Sequence, residues 1–194
     1  MISINELPDD VLLAIFVFHT EEEPRDKPIS KKDAENSKHC CTPKTPARDL
    51  LDVWPALPLY IWGYNDCPME SMDNITAVLK HSDRVCQINL VGVPGSRLKN
   101  ITAAMQFPFP ELTHLILGSE DKMVPVLPDS FLGGSAPNLL ALAFQGISFP
   151  GLPRLLLSAT RLTVLRLDTI PHSEYFPPEA MVTALLSLID LQCP

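Results

Sequence analysis

Histidine and cysteine carry most metal and nucleophilic chemistry, and His39-Cys40-Cys41 is the densest group of them in the chain. Thiolates and imidazoles bind zinc when four of them converge on a tetrahedron. Adjacent cysteines are poorly spaced for one such site and no second pair lies nearby, so this run reads as a flexible stretch. The five histidines, at 19, 39, 81, 114 and 172, are scattered, and none sits in a Ser/His/Asp or Cys/His motif. Gly133-Gly134-Ser135 lacks the Lys-[Ser/Thr] of a phosphate loop and reads as a turn before a strand. Glu120, Asp121 and Lys122 form a short charged loop of the solvated kind. No catalytic residue, metal or cofactor is assigned, and the chain is not expected to be an enzyme.

What remains is binding by a built surface, and a repeat supplies one. Five segments share a pattern of apolar residue, two others, apolar anchor, one other, apolar residue. They run from Val85 to Leu90, Leu112 to Leu117, Leu139 to Phe144, Leu162 to Leu167 and Leu188 to Cys193. Their anchors, 88, 115, 142, 165 and 191, are spaced 27, 27, 23 and 26 apart, inside the ~20–29 residues of a leucine-rich repeat. Counting back 27 from 88 reaches Ile61, in the apolar stretch from Leu57 to Trp62, a sixth and degenerate copy. Each strand is too short to bury its own apolar face, so stacking must supply the core. Val93, Ile147 and Ile170 follow three of the strands alike, and Pro94 and Pro171 are read as strand ends, since proline withholds a donor.

Helix-like segments separate the strands. Residues 73–81 put Ile75, Val78 and Leu79 on one face. Residues 96–106 do the same with Leu98, Ile101 and Met105, while 153–159 carries Leu155, Leu156 and Leu157. Residues 178–188 open on proline and Glu179 and continue with Met181, Val182 and Leu185. Residues 125–134 hold two prolines and two glycines and make a doubtful helix. The expected fold is α/β, a solenoid of parallel strands alternating with helices over residues 46–194. Side chains alternate along a strand, so Gln87, Asn89, His114, Ile116, Ala141, Ala143, Val164 and Arg166 should line its concave face and form the substrate-binding surface.

Composition narrows the partners. A formal net charge of −8 argues against nucleic acid, which needs a basic face, and against an anionic membrane surface. Twenty prolines recur singly between apolar segments, as punctuation rather than a disordered tract. Five cysteines without a Cys-x-x-Cys pair, and an acidic N-terminus unlike a secretory signal, fit a reduced intracellular setting, cytoplasm or nucleus. The sequons at Asn74 and Asn100 are then read as chance matches.

Residues 7–16, Leu-Pro-Asp-Asp-Val-Leu-Leu-Ala-Ile-Phe, form an amphipathic helix in pattern, with Pro8 at its start and Asp9 and Asp10 at its positive end. So short a helix is marginal alone and needs a surface to pack on. One such surface is the open N-terminal end of the solenoid. The segment also resembles the first helix of an F-box, and with the repeats it is similar to the fungal F-box/leucine-rich-repeat family. The resemblance implies a substrate receptor of an SCF-type (cullin-RING) ubiquitin ligase. Leu7, Pro8, Leu12, Ile15 and Phe16 would contact the SCF adaptor subunit and the repeats would hold a protein substrate. The F-box is truncated: residues 1–20 carry the helix, and 21–45 read as a charged, disordered linker, with eleven charged residues between 21 and 38. The alternative is an interaction scaffold that has lost adaptor binding. The final segment, Leu188 to Cys193, is expected to leave an apolar edge without a polar cap, a site for pairing or aggregation.

Overall fold

The computed structural model describes Leu51 and residues 58–64, 69–121, 124–170 and 177–192. The F-box-like segment from Leu7 to Phe16, the charged run 21–38 and His39-Cys40-Cys41 lie outside the described residues.

Five short strands, β1 (Leu59–Tyr64), β2 (Val85–Val91), β3 (His114–Gly118), β4 (Ala141–Gln145) and β5 (Val164–Asp168), form one sheet in sequential order, every neighbouring pair parallel. The anchors lie abreast: Ile61 beside Ile88, then Leu115, Leu142 and Leu165. The degenerate first copy is therefore a strand, in register with β2 from Tyr60 to Tyr64 after a shift between Leu59 and Tyr60. Parallel neighbours require a crossover between them. Helices α1 (Met69–Leu79), α2 (Gly95–Ala103), α3 (Leu152–Ser158) and α4 (Pro178–Leu186) follow β1, β2, β4 and β5. Between β3 and β4 the proline- and glycine-rich stretch forms only a 3-10 helix, Phe131–Gly134. Its Leu132 and Gly133 take positive φ, which an α-helix cannot accommodate.

Alternation builds the core. Ile88 and Leu90, Leu115 and Leu117, and Leu142 and Phe144 are buried on one face of the sheet. They meet Ile75, Val78, Leu79, Leu98, Ile101, Leu155 and Leu156 from the helices in a single cluster. Where β3 has no α-helix behind it, three aromatic rings fill the space. Phe131, Phe144 and Phe149 pack edge to face, with centroids 5.5 to 6.4 Å apart. The helix faces match their apolar spacing in α1 and α2. In α3, Leu157 turns outward, and in α4 Ala184 is buried while Val182 is exposed. Among the described residues the last helix packs against α3.

Two expectations about the chain's turns are corrected. Pro94 does not end β2. The strand stops at Val91, and Pro94 caps α2, its carbonyl accepting the amides of Arg97 and Leu98. A proline fits there because the first helical amides have no partner anyway. Pro171 lies outside the described residues. The residue after the strand does the turning: Gly92, Gly146 and Thr169 stand at φ 69, 61 and 53. Glycine adopts this conformation freely, whereas a β-branched residue is strained there. Thr169→Gly is expected to stabilise the fold. It relieves a left-handed penalty of about 1–2 kcal/mol against about 0.5–1 kcal/mol of added chain freedom in the unfolded state. A net gain of about 0.5–1 kcal/mol should raise the urea midpoint without changing its slope.

The second correction concerns the anchor at 191. Residues 188–192 contain no strand. Each repeat enters its strand through the same bond: Thr113 N–H to Cys86 O, Leu140 to Thr113, Thr163 to Leu140 and Gln192 to Thr163, all at 2.8 Å. Gln192 thus takes the position of Thr163, and Leu191 that of Leu162, not of Leu165. The turn before it agrees, since Leu112, Leu139, Leu162 and Leu191 each donate to the carbonyl three residues earlier. An apolar pair three residues apart, Leu188 and Leu191, fits that entry turn as well as it fits a strand, so spacing alone selected the wrong frame.

Candidate functional site: the open face of the sheet

The helices cover one face of the sheet and leave the other to the alternate side chains. Register sorts these into rows. Tyr60, Gln87, His114, Ala141 and Val164 lie abreast, and beside them Trp62, Asn89, Ile116, Ala143 and Arg166. All eight residues expected on this face fall in these two rows, with one residue from each of the last four strands in each row. Tyr60 and Trp62 were missed. Their signal was the degenerate first copy, in which they flank Ile61 as Gln87 and Asn89 flank Ile88. A third row, Gly118, Gln145 and Asp168, closes the last three strands.

Chemistry changes along the rows. The β1 positions are aromatic, β2 contributes Gln87 and Asn89, β3 His114 and Ile116, β4 two alanines and β5 Val164 and Arg166. Gln87 Nε2 lies 3.3 Å from His114 Nδ1, which is 2.9 Å from Thr113 Oγ1. Thr113 in turn donates to the Cys86 carbonyl at 3.0 Å. With that proton committed, the threonine oxygen accepts from an Nδ1–H, and His114 Nε2 then offers a lone pair. If Nδ1 instead accepts from Gln87, Nε2 carries the proton. Burial pushes the His114 imidazole below its usual pKa, which favours the neutral ring at neutral pH in either tautomer.

Asn89 Oδ1, in the second row between Trp62 and Ile116, is buried and has no hydrogen-bond partner among the described residues. An unmatched buried acceptor costs about 1–3 kcal/mol. At the far end Arg166 and Asp168 form an ion pair at 3.4 Å, both side chains more than half exposed.

Nucleophilic chemistry finds little support on this sheet. The Cys86 thiol is pushed up first by burial and then by the charge of Glu111, against a smaller lowering by the backbone of Leu59. It donates weakly to the Arg84 carbonyl at 3.6 Å and stays protonated. Among the described residues no three His, Cys, Asp or Glu side chains are placed to hold a metal ion. No helix among them is long and apolar enough to cross a membrane. Asn74, in one sequon, is buried in α1. Compared with known proteins, the chain matches no family model, no curated protein and no solved structure.

Proposed function

We propose that this chain is a leucine-rich-repeat solenoid that presents the open face of its sheet to another protein, as the substrate receptor of an SCF-type ubiquitin ligase. The observation that carries the binding role is the two-row array on that face. Protein-binding surfaces combine aromatic anchors with polar groups that fix orientation. Here Tyr60 and Trp62 supply the anchors, Gln87, Asn89 and His114 the polar centre, and Ala141 and Ala143 the room for a partner's side chains.

The link to ubiquitin transfer rests on the sequence from Leu7 to Phe16. Leu7, Pro8, Leu12, Ile15 and Phe16 would form the apolar contact with the adaptor. The full chain is expected to co-purify with the SCF adaptor subunit. Leu12→Asp and Ile15→Asp should each abolish that, because a carboxylate buried in an apolar contact carries a penalty of several kcal/mol. Failure of the unaltered chain to bind, where an intact F-box protein does, would sink the ligase role. A second reading, a repeat scaffold without adaptor binding, is favoured by the charged sequence at 21–38 in place of further F-box helices. It predicts unchanged fold and partner binding after deletion of residues 1–20.

A further inference from the structure

Charge is scarce on the open face. The chain as a whole stands at −8, yet among the described residues the two rows hold no carboxylate, and their one fixed charge is the Arg166 guanidinium. Its Nε lies 3.4 Å from Asp168 Oδ2, with 65% and 55% of the two side chains exposed. An exposed pair of this kind contributes about 0–1 kcal/mol. Asp168 therefore orients the guanidinium without withdrawing it. The Nη1–Nη2 end is the edge that a second carboxylate would meet in a two-pronged contact.

The middle of the face discriminates between partner shapes. Gln87 and His114 are only partly buried. A covering partner must bond their polar atoms or leave them unmatched, at about 1–3 kcal/mol each. A helix bonds its own backbone and brings only side chains. An extended segment brings unpaired N–H and C=O groups. Beside Gln87 and His114 the face drops. Ala141 and Ala143 stand between His114 and Ile116 on one side and Val164 and Arg166 on the other, leaving a step about 9–10 Å from strand to strand. A helix, about 10–12 Å across with its side chains, would bridge that step and leave it empty. An extended chain drops a side chain into it.

On the reading that the open face is the binding surface, we propose that its partner is an extended peptide segment crossing the strands, with an apolar side chain against Tyr60 and Trp62 and an acidic side chain on Arg166. Register sets the spacing. Trp62 and Arg166 lie in one row, four strand spacings or about 19 Å apart. An extended chain at about 3.3 Å per residue covers that distance in about six residues. A helix at about 1.5 Å per residue needs about thirteen. Arg166 is thus the residue that selects for an acid, and its distance from the aromatic pair is the measure of the partner's conformation.

The test screens the full chain against displayed random peptides about 16 residues long, enough for either spacing. Selected peptides are expected to pair an aromatic or aliphatic residue with Asp or Glu about six positions away. Arg166→Glu should weaken their binding about tenfold, and exchanging the peptide's acid for Lys should restore binding to that variant. Arg166 is more than half exposed, so circular dichroism should report an unchanged fold. An acid about thirteen positions away, no preference for an acid, or indifference to Arg166→Glu overturns the proposal. Trp62→Ala and Ala143→Trp then separate this failure from that of the binding surface itself. Peptides weakened by either substitution still use the open face, and only the extended, acidic partner is lost. Peptides indifferent to both, or a screen that selects none, overturn the binding surface as well.

Discussion

Gly146→Ala is expected to lower the unfolding free energy by about 2–5 kcal/mol, combining a left-handed backbone penalty with overpacking. Gly146 stands at φ 61, directly after β4. A Cβ there would approach the Ser119 carbonyl oxygen to 2.2 Å. That oxygen cannot simply move aside. The Ser119 amide donates to the Gln145 carbonyl at 2.9 Å, and Gly146 N–H donates to Asp168 O at 3.0 Å. Displacing Ser119 therefore loosens the ends of β3, β4 and β5 together. Gly134→Ala separates the two causes. Gly134 has φ 73, but its nearest neighbour would be Arg154 Nη2 at 3.7 Å, an ordinary contact. It should lose about 1–2 kcal/mol from backbone strain alone. Urea unfolding of both variants makes the comparison. Equal losses would show that the approach to Ser119 is not felt.

Phe131→Ala should cost about 3–5 kcal/mol, the range for deleting a buried aromatic side chain. Phe131 is fully buried and touches both Phe144 and Phe149. It comes from the 3-10 helix that replaces an α-helix behind β3, so no longer element is available to close over the gap. The cavity would sit on the core face of the sheet, against Phe144 and Phe149. For a chain of this size, a loss of that magnitude lowers Tm by roughly 6–20 °C. Phe131→Leu retains most of the volume but not the edge-to-face geometry, which contributes about 0.5–1.5 kcal/mol beyond burial, and should cost much less. A Phe131→Ala variant within about 1 kcal/mol of the parent would mean that the neighbours collapse into the space.

Much of this arrangement was legible beforehand. Strand positions 61, 88, 115, 142 and 165 follow from apolar spacing, because a stacked sheet requires the same residue of each repeat to enter the core. The eight outward residues follow from alternation around those anchors. Spacing failed where one short pattern serves two structures. Leu188 and Leu191 match both a strand and an entry turn, and only the bond from Gln192 to Thr163 identifies the frame. Pro94 likewise reads as a strand end until its carbonyl is found opening α2.

By itself, then, the sequence determined the period, the strand core and the identity of the open face. Those depend on the order of apolar and polar side chains, which any stacked arrangement must respect. Only the tertiary structure decided that Tyr60 and Trp62 extend the rows and that Asn89 Oδ1 goes unmatched. Both depend on what lies beside a residue 27 positions away in the chain, and a linear pattern does not record its neighbours across the sheet.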